Sequence, residues 1–278
     1  MLSLDDDNDF VRVCYYGDPG SGKTTDVAGA AHLGRVAVAA AEEGLYARPL
    51  KKLGVPVQNI IPYRETDFEA LGALAGELRS DLADDPKSWA AFSLDTVTEL
   101  ASQWLATEVD RRIAKEMKRI SPMEEYQKKP FNAERDDYGV ITQQFRRTLR
   151  AFADLPLHVA YTAHVRRDVD EDSGTVAYGP PLFPAMQADL MGHVSILIWT
   201  RVVGETEDGR PIHVGQTRGT GKYKSKDRLN ALPRTLAWPS LERVVGYVNG
   251  ELDEDTDPLQ KELLDWKASQ AENSKKEN

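Results

Sequence analysis

Short apolar stretches recur along the chain with the period and composition of strands. Val11–Tyr16 alternates and is rich in β-formers, while Arg35–Ala41, Trp89–Leu94 and Leu157–Thr162 are apolar runs of buried-strand character. Val194–Val203 is longer and strongly apolar; the turn Glu205–Gly209 joins it to Ile212–Thr217, which predicts a β-hairpin. Between the strands, Ala-rich Asp26–His32 and Val97–Leu105 read as helices. Tyr138–Phe152 places Val140, Ile141, Phe145, Leu149 and Phe152 on one helical stripe, with Arg146, Arg147 and Arg150 off it. From 106 to 137 the core pattern is interrupted. A charged helix carrying Arg111, Arg112, Lys115, Lys118 and Arg119 is expected over 106–120, and a loop or lid with Pro122 and Pro130 over 121–137. Strands alternating with helices predict an α/β fold: a mostly parallel sheet, helices on both faces, and a C-terminal β-hairpin.

The first strand runs straight into Gly17-Asp18-Pro19-Gly20-Ser21-Gly22-Lys23-Thr24-Thr25, and that into a helix. Strand, GxxxxGK[ST] and helix together form the context of a phosphate-binding P-loop. The glycines let the backbone turn tightly and aim N–H groups at an anion, and the helix N-terminus adds partial positive charge. Lys23 then reaches the outer phosphates, and the Thr24 hydroxyl holds Mg²⁺. ATP and Mg²⁺ are the implied ligands.

Three other strand ends carry polar groups suited to the same chemistry. Asp95 closes the run Trp89–Leu94, where open α/β sheets bind ligands, and is the candidate second metal carboxylate; Asp at that place also suits an N-cap of the following helix. Glu42, after Arg35–Ala41, is placed to orient a water for γ-phosphate hydrolysis, or belongs with Glu43 to a solvated loop. His164 follows Leu157–Thr162 and is either a γ-phosphate sensor or a structural hydrogen-bonder.

These pieces resemble the RecA family. The segment Glu42-Glu-Gly-Leu-Tyr-Ala-Arg-Pro-Leu-Lys-Lys-Leu-Gly-Val55 is similar to the one bearing RecA's catalytic glutamate, and the order of motifs over residues 10–248 is RecA-like. Thr162–Asp168 and Lys224–Arg228 are closer to short phage-encoded RecA-like ATPases, some of which act in single-strand annealing and recombination. The resemblance implies that Glu42 activates the water, that His164 stands where RecA couples nucleotide state to a DNA loop, and that Tyr46 lies near the adenine. It also implies that Lys224, Lys226 and Arg228, in the glycine-rich segment after the hairpin, reach the ATP of an adjacent subunit, so that activity needs a homo-oligomer. Single-stranded DNA is the implied partner, with a replication or single-strand-binding protein as a further one. Arg166, Arg167 and Tyr178 in the 165–187 segment, together with Lys128, Lys129 and Arg135, are the candidate DNA contacts; a solvated charged surface is the plain alternative.

Composition narrows these readings. The chain has 278 residues, 41% hydrophobic and 29% charged, with a net charge of −10 and a single cysteine, Cys14. Disorder throughout, a disulfide framework and a zinc-knuckle role are excluded. Four of the first ten residues are Asp, the last 28 carry nine acids against four bases, and 11–250 is nearly balanced with 32 acids and 31 bases. Residues 1–9 are therefore expected as an acidic tail, 10–248 as the core, and 249–278 as an acidic tail with a short helix over Pro258–Ala271. The acidic N-terminus lacks signal-peptide character and no apolar run approaches the length of a membrane span, so a cytoplasmic protein is expected, in a bacterial host if phage-encoded.

Overall fold

The computed structural model describes residues 10–117, 132–169, 176–206 and 209–276. Nine strands form one sheet. Its main path runs β11 (Thr235–Ala237), β9 (Pro211–Gln216), β8 (Ile196–Glu205), β1 (Arg12–Tyr16), β5 (His158–Ala163), β4 (Ala91–Asp95), β2 (Val36–Ala40) and β3 (Ile60–Tyr63). From β8 to β3 all neighbours are parallel; β9, β11 and the two-residue β10 (Lys226–Asp227) pair antiparallel at the other end. The expected α/β architecture with its C-terminal hairpin is what the chain adopts.

Alternation along the strands divides the core. Cys14 and Tyr16, Ala37 and Ala39, Val159 and Tyr161, and Leu197 and Trp199 face one side of the sheet. Val11, Val13 and Tyr15, Val36 and Val38, Ala160, and Ile196 and Ile198 face the other. The first side is covered by α3 (Phe68–Asp84), α4 (Val97–Met117), α5 (Arg135–Ala153) and α6 (Pro184–His193). The second is covered by α1 (Lys23–Ala28), α2 (Ala47–Lys52) and α7 (Leu241–Val248). A sheet buried on both faces explains why its strands read as nearly continuous apolar runs.

Three expectations change. The helix expected over 106–120 is not a separate element: residues 106–117 continue α4, which runs unbroken from the sheet edge to Met117. Lys118, Arg119, Pro122, Lys128, Lys129 and Pro130 lie outside the described residues, as do Asp170, Glu171, Asp172 and the acidic stretch 1–9. On α5, Ile141, Phe145, Leu149 and Phe152 are buried, but Val140 is exposed because it sits off the arc that meets the sheet. Residues 249–278 contribute more than a tail. Helix α8 (Pro258–Lys276) buries Leu263 against Ile212 and Val214, and Trp266 packs on Gly204 so closely that a Cβ there would meet its ring at 2.4 Å. Asp257, fully buried, pairs with Arg243 of α7 and accepts from Tyr247 Oη at 2.7 Å. Among the described residues no helix is long and apolar enough to cross a membrane.

Removing one partner of a buried ion pair leaves the other charge uncompensated, at a cost of about 3 kcal/mol or more. Asp257→Ala is therefore expected to lower the unfolding free energy by about 3 kcal/mol in a denaturant titration, whereas a 249–278 segment that merely trailed from the core would give no change.

Candidate functional site

Parallel strands place their carboxyl ends on one edge, and here β1, β5, β4 and β2 are consecutive neighbours. The register sets Tyr16 beside Ala163, Tyr161 beside Leu94, and Asp95 beside Ala40. The phosphate loop after β1, Thr162 of β5 and His164 just after it, Asp95 of β4 and Glu42 after β2 therefore converge.

The loop has the geometry its sequence demands. Gly22 adopts φ 96°, a left-handed backbone that side chains disfavour, just before α1 starts at Lys23. Gly17 is held by close approach instead, since a Cβ there would lie 2.3 Å from the Thr200 carbonyl oxygen. Ser21 is fastened to β8 through Thr200, the two hydroxyl oxygens being 3.0 Å apart. Lys23 is mostly buried and donates from Nζ to the carbonyls of Gly17 (2.9 Å) and Asp18 (2.8 Å). Burial lowers its pKa, opposed by Asp95, Glu42, Asp18 and Asp26. The ammonium thus spans the loop from within and must exchange these carbonyls for phosphate oxygens.

Asp95 is only 2% exposed. Its Oδ2 accepts from Thr24 Oγ1 at 2.9 Å, and its Oδ1 accepts from Thr162 Oγ1. Burial raises its pKa, while the two hydroxyls and Lys23 pull it back. A hydroxyl and a carboxylate joined at one point form the hard-oxygen pair that suits Mg²⁺, which takes few protein ligands beside phosphate and water. Among the described residues no group of three or more His, Cys, Asp or Glu is placed to hold a metal ion. The helix cap falls to the next residue: Thr96 Oγ1 accepts from Glu99 N at 3.1 Å, leaving the Asp95 carboxylate to the site.

Glu42 and His164 meet. His164 Nε2 donates to Glu42 Oε1 at 2.7 Å, and Thr96 Oγ1 donates to the same oxygen at 2.9 Å. The His164 backbone N–H in turn donates to Thr98 Oγ1 at 2.9 Å. Gly44, two residues past Glu42, lies against the Thr24 hydroxyl, so the Glu42 loop borders the metal pair. Thr98, Thr162 and Thr200 join the site without having been assigned to it from the sequence. The signal was a hydroxyl at or beside each strand end, which is visible only once the strands are aligned.

Other candidates lie elsewhere. Lys224 Nζ donates to Gln187 Oε1 at 3.1 Å, Lys226 Nζ to the Met191 carbonyl, and Arg228 Nη1 to the Gly192 carbonyl at 3.3 Å, so all three turn onto α6 and none joins the phosphate loop of its own chain. Burial, with Arg228 nearby, pulls the Lys226 pKa down to about 8. The segment is held by β10 and by Lys224 N donating to the Tyr178 carbonyl. Tyr46 is 61% exposed beside an open cavity that also borders Glu42 and Arg64. Arg112 is committed to Asp137 and Glu134, and Arg146 to Asp189, as braces between helices. Arg166 and Arg167 lie on β6 (Arg166–Val169), which pairs with β7 (Val176–Gly179) in a separate two-stranded sheet rooted at His164.

A phosphate loop on a parallel sheet, with a buried carboxylate two strands away bound to the loop threonine, defines a P-loop nucleoside triphosphatase. Residues 9–229 match the family described as AAA domain, and the chain belongs to that family of ATP-binding P-loop ATPases. No curated protein matches the chain.

Partners that orient a metal-binding group typically affect metal affinity by about 10–100-fold. Thr162→Val is expected to weaken Mg²⁺-dependent ATP binding about tenfold while leaving Mg²⁺-free binding unchanged, as a magnesium titration by calorimetry would show. Equal loss with and without the metal would remove Thr162 from the metal site.

Proposed function

We propose that the chain is a RecA-like ATPase, working as a homo-oligomer, whose hydrolysis of ATP is coupled to single-stranded DNA in recombination or annealing of the phage type. The observation that carries this reading is the 2.7 Å contact between His164 and Glu42, because one partner is the candidate base and the other is the root of the β6–β7 hairpin.

Bound ATP with Mg²⁺ supplies an electrophilic γ-phosphorus for in-line attack by water. The residues of the chain do the rest. Backbone N–H groups of Gly20–Thr25 hold the phosphates, and Lys23 offsets charge on the outer ones. Thr24 and Asp95 hold the metal side. Glu42 receives the proton of the attacking water; among the described residues its two side-chain hydrogen bonds fall on Oε1. A rearrangement of the hairpin that moves His164 would release or recapture Glu42 and so change turnover.

The hairpin has the composition to sense a single strand. Arg167 is exposed on β6, and Tyr178 of β7 stacks on Tyr223 at 4.8 Å with Lys222 Nζ 5.5 Å from its ring centre. Cations beside aromatic faces suit a chain of phosphates and unstacked bases. Tyr223 stacks in turn on Trp199 of β8 at 3.4 Å. Tyr16, the residue before the phosphate loop, donates from Oη to the Lys224 carbonyl at 2.6 Å, with the Tyr178 carbonyl at 3.2 Å. The hairpin is thus tied to both sides of the nucleotide site. Lys224, Lys226 and Arg228 would act only on the nucleotide of a neighbouring subunit.

ATP hydrolysis measured with and without single-stranded DNA, with Lys23→Ala as the blank, is expected to rise about tenfold or more with DNA, and Arg167→Glu is expected to remove most of that rise. Hydrolysis indifferent to DNA but raised by a replication protein would overturn the DNA reading in favour of an ATPase that remodels a protein partner.

A further inference from the structure

Glu42 projects from an irregular stretch. Strand β2 ends at Ala40 and α2 begins at Ala47, so the candidate base lies outside the regular ladders that fix its neighbours. A general base has to stay within hydrogen-bond reach of the proton it takes, so its aim depends on individual contacts. We propose that Gln103, two turns into α4, is a positioning residue for Glu42: it fixes the backbone from which the carboxylate projects. The inference rests on the reading of Glu42 as the base of ATP hydrolysis.

The contacts on either side of Glu42 carry the argument. Gln103 Nε2 donates to the Ala41 carbonyl at 3.0 Å, and that carbonyl belongs to the peptide group joining Ala41 to Glu42. The N–H of Ala41 donates to the Asp95 carbonyl at 2.7 Å. Both backbone groups of the preceding residue are thus held, one by the end of β4 and one by α4. The far end of Glu42 is held by Thr96, directly before α4, whose Oγ1 donates to Oε1 at 2.9 Å. These bonds close into a ring. Thr96 Oγ1 accepts from Glu99 N at 3.1 Å, Glu99 Oε1 accepts from Gln103 Nε2 at 3.2 Å, and Gln103 returns to Ala41. Glu42 is therefore gripped at its backbone and at its carboxylate from one end of one helix.

The partners also fix which way the Gln103 amide points. A backbone carbonyl and a carboxylate only accept, so both call for the NH₂ group, and the reversed amide would set oxygen against oxygen twice. Nearby polar residues of α4 behave otherwise. Ser102 Oγ donates to the Thr98 carbonyl at 3.2 Å and Thr107 Oγ1 to the Gln103 carbonyl at 2.9 Å, both within the helix. Gln103 instead leaves its helix to reach a carbonyl 62 residues away in sequence.

Exposure separates this role from stability. Gln103 is exposed, and a hydrogen bond open to water contributes little to folding because water replaces it when it is lost. Position is less forgiving, since a misplacement of about 1 Å at a reacting group costs up to about 10²-fold in rate. Loss of the Gln103 amide should therefore spare the fold and slow the chemistry.

The test is single-turnover hydrolysis of ATP with Mg²⁺ by the full chain, by Glu42→Gln, and by Gln103→Ala and Gln103→Lys, with Gln103→Ala also combined with Glu42→Gln. Calorimetric ATP binding and a denaturant titration accompany it. Gln103→Ala is expected to slow the chemical step about tenfold, with ATP affinity within about twofold of wild type and the unfolding midpoint unchanged. Lysine can donate to both acceptors and suits a helix position four residues after Glu99, so Gln103→Lys should keep the rate within about threefold of wild type. In the Glu42→Gln background Gln103→Ala should cost nothing further, because a residue that acts through Glu42 loses its effect once the base is gone. Should the Ala variant fail to fold, Gln103→Met, of nearly the same length but without a donor, gives the same comparison. A chemical step unchanged in Gln103→Ala, a loss that lysine does not restore, a parallel loss of ATP affinity, or a loss that persists in Glu42→Gln would overturn the inference while leaving the base in place. A Glu42→Gln variant as fast as wild type would remove the base, and the inference with it.

Discussion

Asp95 is a carboxylate with almost no access to water, and a charge so placed must be satisfied by its neighbours or give up its ionisation. The neighbours come from two distant parts of the chain: Thr24 and the Lys23 ammonium from the phosphate loop and the start of α1, and Thr162 from β5. Two hydroxyls stabilise the ionised form without cancelling its charge, which leaves a site that favours an added cation. The parallel sheet makes this possible, because only side-by-side strands with their carboxyl ends aligned bring groups far apart in sequence to one point. The helices on both faces serve this end too, since they exclude water from strands that would otherwise solvate Asp95.

A second layer of polar contacts surrounds that point. Thr96 caps α4 and holds Glu42, and Thr98 holds the His164 backbone. Thr96 and Thr98, at the junction of β4 and α4, therefore keep the candidate base and its histidine partner in register with Asp95. The β6–β7 hairpin starts two residues after His164, so on the proposed coupling a shift at the hairpin would reach Glu42 through one side-chain contact.

The phosphate loop was legible because its glycines, lysine and threonine sit at fixed spacing between a strand and a helix. Asp95, Glu42 and His164 were legible as polar groups at the ends of apolar runs, and the structure brings all three to the loop. Other features depend on contacts that linear sequence does not display. The supporting threonines are ordinary strand residues until register is known. Lys224, Lys226 and Arg228 looked like a basic loop, yet α6 takes up their charge. The acidic composition of 249–278 hid Asp257, which ties the segment to α7, and Leu263 and Trp266, which pack α8 on β8 and β9. The break expected at residue 105 arose from a polar face on α4 that is solvated while the helix continues.

In the proposed mechanism the two carboxylates have different tasks: Asp95 organises the metal side and Glu42 takes the proton. The most direct test is single-turnover hydrolysis of ATP by Glu42→Gln beside direct measurement of ATP and Mg²⁺ binding. The glutamine keeps the size and the hydrogen bonds to Thr96 and His164 but is a far weaker base. Binding within about twofold of wild type with the chemical step slowed about 10²–10⁴-fold is the predicted result. An unchanged chemical step would contradict the assignment and leave the chain a nucleotide-gated binding protein whose proposed base is idle.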